Sequence, residues 1–115
     1  MAGPVDHEMV QGDTVALDFT VLDTSGQPVD LSGATIRWQM ARSVRATPML
    51  QKAIGSGVVV TSAAGGTFTV ALDPDDTIAL TGAFYFEVEI IDASGNVSTP
   101  RSGWLSITPG LIKPV

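Results

Sequence analysis

The chain has 115 residues, a single domain's worth, and its 44% apolar content is enough for a core. It has no cysteine, which excludes disulfide scaffolds, thiolate metal sites and cysteine nucleophiles. Six basic against twelve acidic residues leave a net charge of −6, so a phosphate backbone repels the chain and nucleic acid is not an expected partner. Twelve Gly and seven Pro favour short strands and many turns over a helical bundle. The apolar runs are a few residues long, as in Val58-Val59-Val60, and predict no membrane partner.

Residues 1–11 read as a polar N-terminal arm. Met1–Glu8 has neither the basic nor the apolar region of a secretory signal, so synthesis in the cytoplasm is expected. His7, the sole histidine, reads there as a surface side chain. From Gly12 onward period-2 alternation dominates. Val15, Leu17, Phe19 and Val21 share one face; Ile36, Trp38 and Met40 alternate with Arg37 and Gln39; Phe68, Val70 and Leu72 alternate with Thr69 and Ala71. Phe84, Phe86, Val88 and Ile90 alternate with Tyr85, Glu87 and Glu89, and Leu105 and Ile107 follow Trp104. With Val58–Thr61 and a short piece at Val97–Thr99, this predicts seven or eight strands. Each has one wet face, the pattern of antiparallel sheets packed face to face, with strands 13–23 and 83–92 central.

Two turns are near copies, Val21-Leu22-Asp23-Thr24-Ser25-Gly26-Gln27 and Ile90-Ile91-Asp92-Ala93-Ser94-Gly95-Asn96. Whether by duplication or convergence, both read as hairpins: Asp binds its own backbone two residues on, and Gly supplies the positive φ. Between strands, Asp73-Pro74-Asp75-Asp76-Thr77-Ile78-Ala79-Leu80 predicts one or two helical turns. Asp73 is the cap, Pro74 the first helical residue, and Gly82 the stop. Ser43–Ile54, which contains Pro48, lacks alternation and reads as a long loop or an irregular edge strand.

The residues that could carry chemistry mostly have plainer explanations. Asp73, Asp75 and Asp76 suit a hard cation, but the glycine and distal Glu of a calcium loop are missing and the helix start accounts for all three. Glu87 and Glu89 share a wet strand face as solubilising charges. Gly55-Ser56-Gly57 and Gly65-Gly66 lack the lysine and helix of a phosphate cradle and are turns. No Gly-x-Ser-x-Gly elbow is present. No catalytic residue, metal or cofactor is expected.

The charge distribution is less bland. Between Leu31 and Leu72 no acid occurs while Arg37, Arg42, Arg45 and Lys52 all do, a segment of +4 against a remainder of −10 (two basic, twelve acidic). Arg42, Val44, Arg45, Met49, Leu50 and Lys52 combine apolar anchors with cations, as a surface docking on an acidic partner would, a second copy included. The alternative is that this segment folds back to cap one end of the sandwich. Trp38 shares the inward parity of Ile36 and Met40, whereas Tyr85 and Trp104 fall outward, either as a platform for sugar rings or as a surface covered by a neighbour.

These elements carry a resemblance. Gly12-Asp13-Thr14 with its strand, Gly26-Gln27-Pro28-Val29-Asp30-Leu31-Ser32-Gly33-Ala34-Thr35-Ile36-Arg37-Trp38-Gln39-Met40, Leu80–Glu89, Gly95–Thr99 and Gly103-Trp104-Leu105-Ser106-Ile107-Thr108-Pro109 together resemble the immunoglobulin-like β-sandwich domains of tailed-phage virion proteins. The chain looks like the N-terminal domain of phage baseplate upper proteins. The resemblance implies an N-terminal arm (1–11), a β-sandwich domain (12–109) and a C-terminal tail (110–115). It also implies a non-enzymatic structural protein of the virion that decorates or joins other virion proteins at head, neck or tail; the fit of the basic segment to the chain's own acidic remainder adds the expectation of a homo-oligomer. A carbohydrate-binding or adhesion module is the alternative expectation.

Overall fold

The computed structural model describes residues 5–111, with side chains from residue 7. The outermost residues of the expected arm and tail, 1–4 and 112–115, lie outside the described residues. Within them eight strands form: β1 (Val5–Val10), β2 (Val15–Thr20), β3 (Thr35–Ala41), β4 (Leu50–Ile54), β5 (Gly57–Ser62), β6 (Thr67–Leu72), β7 (Gly82–Ile91) and β8 (Val97–Thr108). Among the described residues a single short helix, α1 (Pro74–Thr77), lies between β6 and β7.

The strands run β1-β8-β7-β3-β4-β5-β6-β2 in one folded sheet whose two halves close on a common core, an immunoglobulin-like β-sandwich. The alternating apolar residues all point inward: Leu17, Phe19, Ile36, Trp38, Met40, Phe68, Val70, Leu72, Phe84, Phe86, Val88, Leu105 and Ile107 are buried. Phe19 on β2 meets Phe86 on β7 edge-on at 5.7 Å and stacks on Phe68 of β6 at 5.2 Å, so the aromatic core ties the halves together.

Four expectations need correction. First, the sheet is mixed rather than purely antiparallel. β1 runs parallel to β8, the chain between them supplying the long crossover a parallel pair requires. β4 and β5 also meet in parallel, over two residue pairs around the Gly55–Gly57 bend. Second, the N-terminal arm contains a strand. Met9 is buried, and the His7 ring lies 5.5 Å from Phe19 and 5.6 Å from Phe86, so His7 is a packed side chain rather than a surface one. Third, among the described residues β2 ends the strand order and pairs only with β6, although β7 is interior as expected. Buried alternation reports which side chains face the core, not how many strands flank the backbone. Fourth, the pieces at Val97–Thr99 and Leu105–Ile107 are one strand, running through Pro100.

The turns form as their residues dictate. Asp23 Oδ1 accepts Ser25 N–H (2.9 Å) and Gln27 N–H (3.0 Å); Asp92 Oδ1 accepts Ser94 N–H and Asn96 N–H, both at 2.9 Å. Gly26 and Gly95 close the two hairpins at φ +83° and +89°. In α1, Asp76 Oδ2 accepts the Asp73 N–H at 2.7 Å, and Pro74 takes the first helical position. Gly66, at φ +68°, sits so close to the 21–29 hairpin that an added Cβ would lie 2.6 Å from the Val21 carbonyl oxygen.

Candidate functional site

The outward face of β8, β7, β3 and β4 brings the candidate residues into register. Trp104 pairs with Tyr85, Tyr85 with Ala41, Glu87 with Gln39, and Glu89 with Arg37. Tyr85 and Trp104, both half-buried, meet edge to face with ring centroids 5.6 Å apart. The Tyr85 hydroxyl donates to Glu87 Oε2 at 2.9 Å. The Ser102 hydroxyl pulls that phenol's pKa down, but burial and the Glu87 carboxylate outweigh it and hold the pKa above its usual range, so Tyr85 stays a protonated donor. Arg37 Nε donates to Glu89 Oε1 at 3.0 Å. Each of the two carboxylates singled out from the sequence is thus partnered by its strand neighbours. Among the described residues, no three His, Asp or Glu side chains gather where a metal ion could sit.

The Ser43–Ile54 stretch divides. Residues 42–49 form the β3–β4 connection, closed by Met49 N–H to the Met40 carbonyl (2.8 Å), and Leu50–Ile54 is β4, inside the strand order rather than at its edge. The connection lies beside Tyr85, and a shallow groove runs between them, lined by Gln39, Val44, Ala46, Pro48, Tyr85 and Glu87. Val44 is 65% exposed and Met49 41%, whereas Leu50 is half-buried against the core.

The cations of the +4 segment are largely spent within the chain. Lys52 Nζ pairs with Asp76 Oδ2 at 2.8 Å, its side chain only 12% exposed, so it is a structural strut rather than a docking cation. Arg42 lays its guanidinium 4.6 Å from the Phe84 ring centre and reaches the Thr81 carbonyl. Arg45 stands exposed. The acidic remainder gathers partly at the other end of the sandwich, where the two Asp hairpins lie. Asp23 is held below the usual carboxylate range by the Ser25 hydroxyl and the Gln27 amide, and Asp92 by the Asn96 amide and side chain. Sequence reading missed the exposed apolar residues Leu22, Ile54, Val59 and Val97 (44–62% exposed). Their signal was available: each is an aliphatic residue at outward parity or in a turn, where solvation asks for a polar one.

No family model and no curated protein sequence matches the chain. Among solved structures it is similar to the crystal structure of CopC from Methylosinus trichosporium OB3b. That match has a TM-score of 0.50 and 12% identity, and covers 96% of this chain and 91% of that one. At that identity the likeness speaks for the β-fold alone.

Proposed function

We propose that the chain is a non-enzymatic structural protein of a tailed-phage or prophage particle, a β-sandwich that decorates or joins other virion proteins at head, neck or tail and assembles as a homo-oligomer. The resemblance over residues 12–109 supports this reading. The observation that carries it is the exposed Val44 beside Tyr85, with Met49 exposed on the same connection and Trp104 packed against Tyr85, on a face where Arg37 pairs with Glu89 and Tyr85 with Glu87. A few aliphatic and aromatic anchors inside a polar surround are what a protein interface presents, and truncating such anchors removes most of its binding energy.

The test is co-sedimentation. Particles purified on a density gradient from the cell that encodes the chain should contain it in fixed ratio to the other virion proteins. Val44→Asp with Met49→Asp should abolish incorporation and leave the thermal melt of the free chain in place. Absence from particles, or undiminished incorporation of the double variant, contradicts the reading. The carbohydrate-binding alternative draws on the same aromatic pair, and a glycan-array signal lost in Trp104→Ala would favour it.

A further inference from the structure

Between the two near-copy hairpins runs a second groove, of about 400 Å³, that the proposed docking face does not use. Val21, Leu22, Val29 and Ile90 supply an aliphatic lining, and Asp23 and Asp92 stand beside it. Leu22 is 54% exposed, an aliphatic side chain in a hairpin where a polar one would be better solvated. Thr24, Asn96, Ser98 and Pro100 complete the lining, so an aliphatic segment that carries a cation complements it.

The chain holds such a segment. Leu111-Ile112-Lys113-Pro114-Val115 has three aliphatic residues and the only cation after Arg101, and Leu111 is 95% exposed. β8 leaves the hairpin end at Val97 and reaches Thr108 at the opposite end, beside Gly82 and α1. The groove's lining reaches Pro100 on β8, eight residues before Thr108 or about 26 Å at ~3.3 Å each. The seven residues 109–115 reach at most roughly 25 Å, so the segment cannot lie along its own groove.

We propose that the groove between the 21–29 and 90–98 hairpins receives Leu111–Val115 of a second copy, joining copies head to tail. This rests on the assembly reading above and names the partner and both surfaces. Such a contact is heterologous, so it closes into a ring or continues as a filament according to the rotation between copies. Lys113 meets an acidic rim whose carboxylates the hairpin amides keep ionised, so salt weakens the joint as it screens that attraction.

The experiment is a mixing test in the full chain, read by sedimentation velocity, with circular dichroism confirming the fold of each variant. One copy carries Leu22→Asp in the groove, the other Leu111→Asp with Ile112→Asp in the tail. The parent's mass should rise with concentration, each variant alone should stay monomeric, and the mixture should form a one-to-one pair through its one intact groove and one intact tail. If Leu22→Asp fails to fold, Lys113→Glu replaces it as a second readout and should lower the parent's association at least tenfold at low salt. A parent that stays monomeric to millimolar concentration overturns the proposal. So does a variant that associates like the parent, or a mixture that does not pair. A chain that enters particles without self-association overturns this inference and leaves the structural role standing; self-association without particle incorporation does the reverse.

Discussion

Asp23 and Asp92 hold their hairpins through the same geometry, a carboxylate collecting amide hydrogens two and four residues ahead. Both titrate below an unfolded aspartate, whose pKa is about 3.9. A depressed folded pKa gives stability that is present above the unfolded value and lost as pH falls through the folded one. The melting temperature should therefore drop as pH is lowered from about 5 towards 2, and Asp23→Asn with Asp92→Asn should flatten that slope. An equal slope in parent and variant would refute the linkage. Trp38, fully buried among Ile36, Met40 and Phe86, tests the core: Trp38→Ala should cost roughly 3–5 kcal/mol in a denaturant melt, and a loss below about 1 would contradict its burial. Gly66→Ala should cost at least about 1–3 kcal/mol from its left-handed backbone alone, before the clash with the Val21 carbonyl. These residues were legible in the sequence because turn chemistry and inward parity are local. His7 was not, since a polar residue in a polar stretch gives no sign that two phenylalanines from distant strands will enclose it.

At the scale of elements, β1 is the chief surprise. Of its described side chains only Met9 is a buried aliphatic, too weak a pattern to register as a strand, and its partner β8 lies some hundred residues away in sequence. Gln11 pins the chain just beyond β1, its Nε2 donating to the Ile78 carbonyl at 2.6 Å. Removing residues 1–11 should cost more than the roughly 2–5 kcal/mol of a single core Met truncation; an unchanged urea midpoint would restore the idea of a loose arm. The α1 start was readable from Asp73 and Pro74, but not the use made of Asp76, which receives both the Asp73 amide and the Lys52 ammonium. Asp76→Ala should therefore destabilise more than Lys52→Met, because it strips the cap and leaves a nearly buried cation unpaired. Reversal of that order in paired melts would count against the strut. β4 stayed hidden because its burial alternates poorly, with Leu50 half-buried and Ile54 exposed.

For the whole molecule, fold class was legible from alternation and turns, whereas strand order and the parallel pairs were not, since pairing partners are set by closure of the sandwich. The candidate interface was half legible. Outward parity picked out Tyr85 and Trp104, and composition picked out the 42–52 segment, yet neither could tell that Lys52 and Arg42 are engaged within the chain. Arg42→Glu should lower the melting temperature by removing its seat on Phe84, whereas Arg45→Glu should leave the melt unchanged and slow particle incorporation most at low salt. Arg45→Glu with no effect on incorporation at any ionic strength would exclude a steering role. The central claim, that this sandwich is a joining piece of a tailed-phage particle, is tested most directly by a cryo-electron microscopy map of particles from the cell that encodes it. Density for the sandwich should stand at repeated positions, with Val44, Met49, Tyr85 and Trp104 covered by a neighbouring protein. A map in which every density belongs to other proteins, or one that leaves that face open to solvent, would contradict it.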